Sequence, residues 1–267
     1  MTGELLPESA FVIFDNPDSG CISYGVESGG DRWFVKRATT PAATESLRRA
    51  FAFHARVHHA AIVAPADSYD HGAGLTVVYP WRDGVVLNHA TAQGPDRSGL
   101  ARFQTLPIEH VHDALTAILA AHQAVADAGF VAVDLYDGCF HYDFDEARMW
   151  LIDLDEYRPG PFVLEDERLP GSRRYMAPEE FVRGSTIDER TTVYVLGRTL
   201  HHLLDSPQGW RGTAAQAAVV ARATRSLPDE RYRDVASLIH AWARFHRPTP
   251  KSAPKSGPAA DFGADFV

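Results

Sequence analysis

The 267 residues are 45% hydrophobic, enough to bury a sizeable core in one large domain or two small ones. A formal net charge of −9 argues against nucleic acid or an anionic membrane surface as a partner. No apolar run reaches the length of a membrane span and no charged-then-apolar leader opens the chain, so a cytoplasmic protein is expected.

In chain order, residues 1–10 read as a flexible lead-in. Three short β-branched or aromatic runs follow, at 11–14, 21–27 and 32–36, separated by Pro17, Gly20 and Gly29-Gly30. That pattern predicts antiparallel strands joined by tight turns. A helix is expected over about 43–57, with Pro41 near its start and Thr44 as its cap, then strands at 61–69 and 74–79. The stretch Tyr79-Pro80-Trp81-Arg82-Asp83-Gly84 breaks the pattern and reads as a connector. Beyond it, 88–107 is loop-like, and the spacing of Val111, Leu115, Ile118, Leu119 and His122 predicts a long helix over 108–128 stopped by Gly129. A hairpin at 140–143 and 148–152 precedes helices near 178–183, 189–205, 213–226 and 232–245. Residues 248–267, rich in Pro, Ala, Ser and Gly, read as a disordered tail. The fold class is therefore α+β: a small β-rich lobe (11–79), a hinge (80–84) and a mainly helical lobe (85–247).

Cys21 and Cys139 have no metal-ligand spacing, and none of the thirteen histidines forms a zinc pattern, so free thiols and structural histidines are expected. The basic residues say more. Of 26, only Lys36, Lys251 and Lys255 are lysines. Arginine serves an ordinary salt bridge, whereas a lone lysine inside the folded region points to a confined site that needs a compact charge. Three acidic or basic positions then fall where two lobes would meet: Lys36 ending the third strand, Asp134 in Val131-Ala-Val-Asp134-Leu135 after the long helix, and Asp153 in Leu151-Ile-Asp153-Leu-Asp155 after the hairpin. Singly, each has an ordinary reading as a strand-end lysine or a turn aspartate. Further on comes Gly171-Ser172-Arg-Arg-Tyr175-Met176-Ala177-Pro178-Glu179, and later Pro228-Asp-Glu-Arg231-Tyr232.

In this order, over residues 20–245, the motifs resemble those of the eukaryotic-type (Hanks-type) serine/threonine protein kinases. The resemblance implies a bilobal kinase-like fold and an ATP- and magnesium-dependent transfer of phosphate to a protein hydroxyl. It implies Lys36 on the ATP phosphates, Asp134 as the catalytic aspartate, and Asp153 as the magnesium ligand. Gly20 is implied in the loop over the phosphates, with Tyr79 and Trp81 flanking the nucleotide. It further implies Glu179 fixed by a buried Arg231, and Ser172 touching Asp134. The protein partner stays open.

The departures are specific. Only Gly20 marks the loop between the first two strands, alongside two acids, Asp15 and Asp18. The helix position that should face Lys36 is Ala50 or Phe51, and Glu45, the nearest acid, falls on another face. Cys139 stands where an asparagine would bind a second magnesium, with Asp137 or Asp155 as possible substitutes, or a one-metal site. Tyr136 replaces a lysine, Thr192 an aspartate, and Val133 a regulatory arginine. Two other readings stay open: a pseudokinase that binds or scaffolds, and a small-molecule phosphotransferase, which the short connection at 205–213 keeps available. Residues 156–170 contain no serine or threonine, only Tyr157. With no arginine to receive a phosphate, activity is expected not to depend on phosphorylation there. Intact-mass and peptide mass spectrometry should find 156–170 unmodified in active protein, and phosphatase treatment should leave the activity unchanged.

Overall fold

The computed structural model describes residues 5, 7–16, 20–72, 74–91 and 94–245; the expected tail at 248–267 lies outside them. The N-terminal part is a five-stranded antiparallel sheet of β1 (Ala10–Asn16), β2 (Cys21–Ser28), β3 (Asp31–Ala38), β4 (Asp67–His71) and β5 (Gly74–Pro80), in the order β1-β2-β3-β5-β4. Ser28 pairs with Asp31, so Gly29-Gly30 is a two-residue turn, and both glycines have positive φ as that turn demands. One face buries Tyr24, Val26, Val35 and Val78. Leu5, within the stretch read as a lead-in, completes this cluster: the Tyr24 hydroxyl donates to its carbonyl at 2.8 Å and its N–H donates to the Tyr69 hydroxyl at 3.3 Å.

The other face carries Ala38, Val77 and Tyr79 and packs on Ala43 and Leu47 of helix α1 (Pro41–His54). The helix starts two residues earlier than the sequence suggests. Thr40 is the cap, accepting from Ala43 N at 3.2 Å, with Pro41 at the first helical position; Thr44 instead donates back to the Thr40 carbonyl. The strand expected at 61–69 shrinks to β4. Ala61, Ile62 and Val63 leave the sheet because their backbone bonds to Leu151, with Val63 N donating to its carbonyl at 3.0 Å and Leu151 N donating to Ala61 O at 2.7 Å.

After the connector, β6 (Val85–Val86) pairs with a later hairpin strand. The stretch 88–107 is not a plain loop: β7 (His89–Thr91) and β8 (Gly94–Asp96) pair, and helix α2 (Ser98–Phe103) buries Leu100 and Phe103. Helix α3 (Ile108–Asp127) buries Val111, Leu115, Ile118, Leu119 and His122, as their spacing requires, and Gly129 beyond its end has φ 75°. Then come β9 (Phe130–Val131) and the hairpin β10 (Phe140–Asp143) and β11 (Arg148–Leu151). Helices α4 (Glu189–Leu204), α5 (Ala214–Ala223) and α6 (Val235–Ala243) share one core with α3. A Cβ on Gly197 would come within 2.7 Å of the Ala223 side chain, so glycine lets α4 and α5 close together. No helix among the described residues is long and apolar enough to cross a membrane.

The helical part is tied by a buried ion pair. Arg231 is fully buried and donates bidentately to Glu179, at 2.6 and 2.8 Å. Its other bonds go to the carbonyls of Arg190, Arg225 and Ser226, so one guanidinium engages five acceptors. Thr191 donates to Glu179 as well, at 2.8 Å. The adjacent Glu180 is also buried, and its carboxyl accepts from Ala177 N; burial pushes it up to about 8. Arg231→Met, which strands Glu179 without its cation, should cost about 3–5 kcal/mol in urea unfolding. Arg231→Met/Glu179→Leu should recover part of that loss.

Candidate functional site

Lys36 sits on β3 opposite Ser23 of β2 and Val77 of β5, and residues directly opposed across antiparallel strands share a face. Phe34 and Tyr79 oppose each other one pair further along that face, and the rings of Phe14, Phe34 and Tyr79 follow one another at centroid distances of 5.9 and 6.3 Å. The Lys36 ammonium, its side chain 13% exposed, forms ion pairs with both Asp153 and Asp155, just after β11. Burial works against the charge, yet the two carboxylates outweigh it and hold Lys36 well above the usual lysine range. Burial pushes Asp155 up and Lys36 pulls it down. With the ammonium in contact, the ionised pair is the form the geometry supports. The two acids differ in exposure: the Asp153 side chain is 47% accessible, that of Asp155 only 10%.

Asp134 faces the same cluster. Burial, then the charges of Asp153 and Glu156, push its carboxyl up to about 7. Asp134 and Asp153 share a left-handed backbone, each with φ 59°. Between them lies Cys139, fully buried, its sulfur 3.3 Å from the Asp134 carbonyl oxygen and 3.8 Å from that of Asp153. Burial raises this thiol well above its usual range and keeps it protonated. Cys139 therefore braces the two aspartate-bearing turns.

Neither proposed substitute for an asparagine is placed as one. Asp137 is buried, accepting from Asn88 at 2.8 Å and Arg174 at 3.0 Å, and Asp155 is committed to Lys36. Thr192, where an aspartate was expected, accepts from the buried Ala132 N at 3.0 Å and so holds the loop ahead of Asp134. Tyr136 lays its ring over Gly138, where any Cβ would come within 2.4 Å of it.

The segment after Asp155 is held by burial and by one polar anchor. Glu156 accepts from Ser46 at 2.7 Å and from Arg49 at 2.6 Å, both on α1. Tyr157 is in the core. His122 Nδ1 donates to the Ile118 carbonyl at 2.7 Å, which leaves Nε2 to accept the Tyr157 hydroxyl at 2.8 Å. Val133 packs with Val131, Leu164, Leu169, Met176 and Ile187, an apolar cluster where the resemblance places an arginine. Gly171 has φ 141°, and a Cβ there would lie 3.5 Å from Asp134 Oδ1, so the chain at Gly171 returns to Asp134.

Two other expected residues have structural duties. Gly20 accepts at its carbonyl from Thr39 N and the Thr39 hydroxyl, both at 2.8 Å, and a Cβ on it would strike Thr40 at 2.7 Å. Trp81 packs edge-on against Phe11 over Gly25, and its backbone N–H donates to the Arg32 carbonyl at 3.0 Å. Sequence reasoning missed Asp155 as the partner of Lys36, and missed Ser46, Arg49 and Glu156 altogether. The one available signal was Asp155 standing where a glycine was expected. Among the described residues no group of three or more His, Cys, Asp or Glu side chains is arranged to hold a metal ion. Magnesium escorting a polyphosphate needs only one or two carboxylates, its remaining sites going to water and phosphate. The half-exposed Asp153 suits that use.

No protein-family model matches the chain. It is similar to the serine/threonine-protein kinase PknB of Mycobacterium tuberculosis (strain ATCC 25618 / H37Rv) and to that of Mycobacterium bovis (strain ATCC BAA-935 / AF2122/97). Each is 26% identical over 246 residues, an alignment covering 75% of this chain. The match spans only 36% of each relative's length. This distant likeness supports a divergent relationship to kinases of that kind.

The electrostatics generate a test free of any ligand. The Asp134 carboxyl should titrate near pH 7 when followed by carbon-detected NMR. In Asp153→Asn, which removes a charge that raises it, the midpoint should fall towards the ordinary aspartate value of about 4.

Proposed function

We propose that this chain is a divergent Hanks-type serine/threonine protein kinase with the family's bilobal fold, transferring phosphate from ATP to a protein hydroxyl with magnesium. The observation that carries this reading is the meeting of Lys36, Asp134 and Asp153, residues 98 and 19 apart in sequence, at one cluster. The buried Glu179–Arg231 pair at the end of the following segment supports it, as does the distant likeness to PknB.

The roles follow from the side chains. Lys36 contacts the phosphates as a point charge. Asp134 orients the acceptor hydroxyl and takes up its proton as the bond to phosphorus forms; a base with a pKa near 7 is matched to that task. Asp153 holds the magnesium ion, which when bound neutralises developing phosphate charge. Gly20, Tyr79 and Trp81 frame the nucleotide, and the Phe14–Phe34–Tyr79 row offers a base an aromatic surface on the Lys36 face. Cys139 is a thiol and a poor magnesium ligand, which favours a single metal. The apolar cluster around Val133 orders the segment without phosphate, in keeping with phosphorylation-independent activity.

A second reading has its own support. Cys139 and the glycine-poor turn before Gly20 suit a pseudokinase that binds nucleotide or a partner without turnover. Incubation with labelled ATP, magnesium and a generic protein substrate separates the two. Transfer should fall by about 10²–10⁴-fold in Asp134→Ala and be similarly lost in Lys36→Met and Asp153→Asn. A nucleotide-induced thermal shift without transfer would support the pseudokinase. Neither shift nor transfer would exclude the kinase and leave only a pseudokinase that binds a partner, and transfer surviving Asp134→Ala would overturn the mechanism.

A further inference from the structure

Helix α1 presents no carboxylate to the segment beneath it. Its buried face is Ala43, Thr44, Leu47, Ala50, Phe53 and His54, its one acid, Glu45, is exposed, and Ser46 and Arg49, three residues apart and so on one side, both donate to Glu156. An ammonium beside such a helix must find its carboxylates elsewhere. Lys36 finds two on the segment after β11, one half-exposed and one nearly buried.

We propose that Asp155 is the positioning residue of Lys36, keeping the ammonium aimed while Asp153 is free for a metal ion, and that α1 is moored to the same segment by the pair Arg49–Glu156. The inference rests on the function proposed above and extends it. Asp153 cannot give its charge fully to a dication and to an ammonium at once, since two cations on one carboxylate repel each other at a few ångströms. A second carboxylate relieves this conflict. Asp155 is placed for that role because its side chain is buried on Lys36 and has little access to solvent or to a hydrated ion. The neighbouring Glu156 reaches the helix instead, so two consecutive acids fix β3 and α1 relative to one another. The polarity is reversed: the helix supplies the cation and the segment both anions.

Lys36 is the only lysine before Lys251, which makes its reactivity readable by mass spectrometry on the full chain. Acetylation by N-hydroxysuccinimidyl acetate at pH 8, without nucleotide or metal, should be slow in the wild type. It should rise at least about tenfold, one pKa unit, in Asp155→Asn, rise less in Asp153→Asn, and stay low in Asp155→Glu, which keeps the charge. Glu156→Gln should speed amide hydrogen exchange across 43–53 and leave Lys36 no more reactive. With a non-hydrolysable ATP analogue, Asp155→Asn should weaken binding about tenfold with or without magnesium, and Asp153→Asn only with magnesium. A wild-type rate in Asp155→Asn overturns the proposal. So does an Asp155→Glu variant as reactive as Asp155→Asn, or exchange unchanged by Glu156→Gln. If the wild type binds no analogue, the kinase reading falls while acetylation still decides whether Asp155 holds Lys36.

Discussion

A carboxylate buried without a cation is among the costliest groups a protein can carry, and Glu179 escapes that cost through Arg231, with Thr191 adding a hydrogen bond. The guanidinium also gathers carbonyls from the start of α4 and from the stretch after α5. One side chain thus fixes the end of the segment at 171–179 against three later pieces of chain. The turn carrying Asp134 is fixed in turn, because Gly171 abuts it and Thr192 of α4 holds Ala132 just ahead of it. The position of the candidate base is therefore set some 100 residues downstream, by an ion pair that touches no substrate.

Elsewhere the chain uses other contacts where its resemblance leads one to expect charge. Val133 and its neighbours hold the segment by apolar burial in place of an arginine awaiting a phosphate. Such a hold is not switched by adding or removing one group, since it is spread over six side chains. Thr192 does with one neutral hydroxyl what an aspartate would do with a charge. Cys139 replaces a polar amide with a thiol and joins the two left-handed turns through their carbonyls. At Val133 and Thr192 a neutral contact stands where a charge was expected, and at Cys139 a thiol that burial keeps neutral stands in place of an amide.

Much of the fold was legible in the sequence. Periodicity located α3 and α4 to within a residue or two, and glycine pairs located the β2–β3 turn, because these signals are local. The failures are equally instructive. Helix α2 and the β7–β8 hairpin are too short to show a period, and what holds α2 is Leu100 and Phe103 reaching the core. Ala61, Ile62 and Val63 look like strand, but a partner 88 residues beyond Val63, Leu151, takes their backbone bonds out of the sheet. At the candidate site the charged residues could be named from sequence and their pairing could not. Lys36 and Asp155 are 119 residues apart, and only the folded chain shows that the acid in place of a glycine is the missing partner.

Glu180 carries a consequence for how the molecule behaves as an ion. With its carboxyl raised to about 8, and Asp134 to about 7, the folded chain retains protons at neutrality that the unfolded chain releases. The native molecule is thus less negative than its formal −9, and folding near neutral pH takes up protons. The sign is fixed by the direction of both shifts. The stability held by these neutral acids is complete below the ordinary carboxylate range and is lost as the pH climbs through 7 and 8. An acidic protein of this kind gains, on folding, a small reserve of bound hydrogen ions and a firmness that alkaline solution removes.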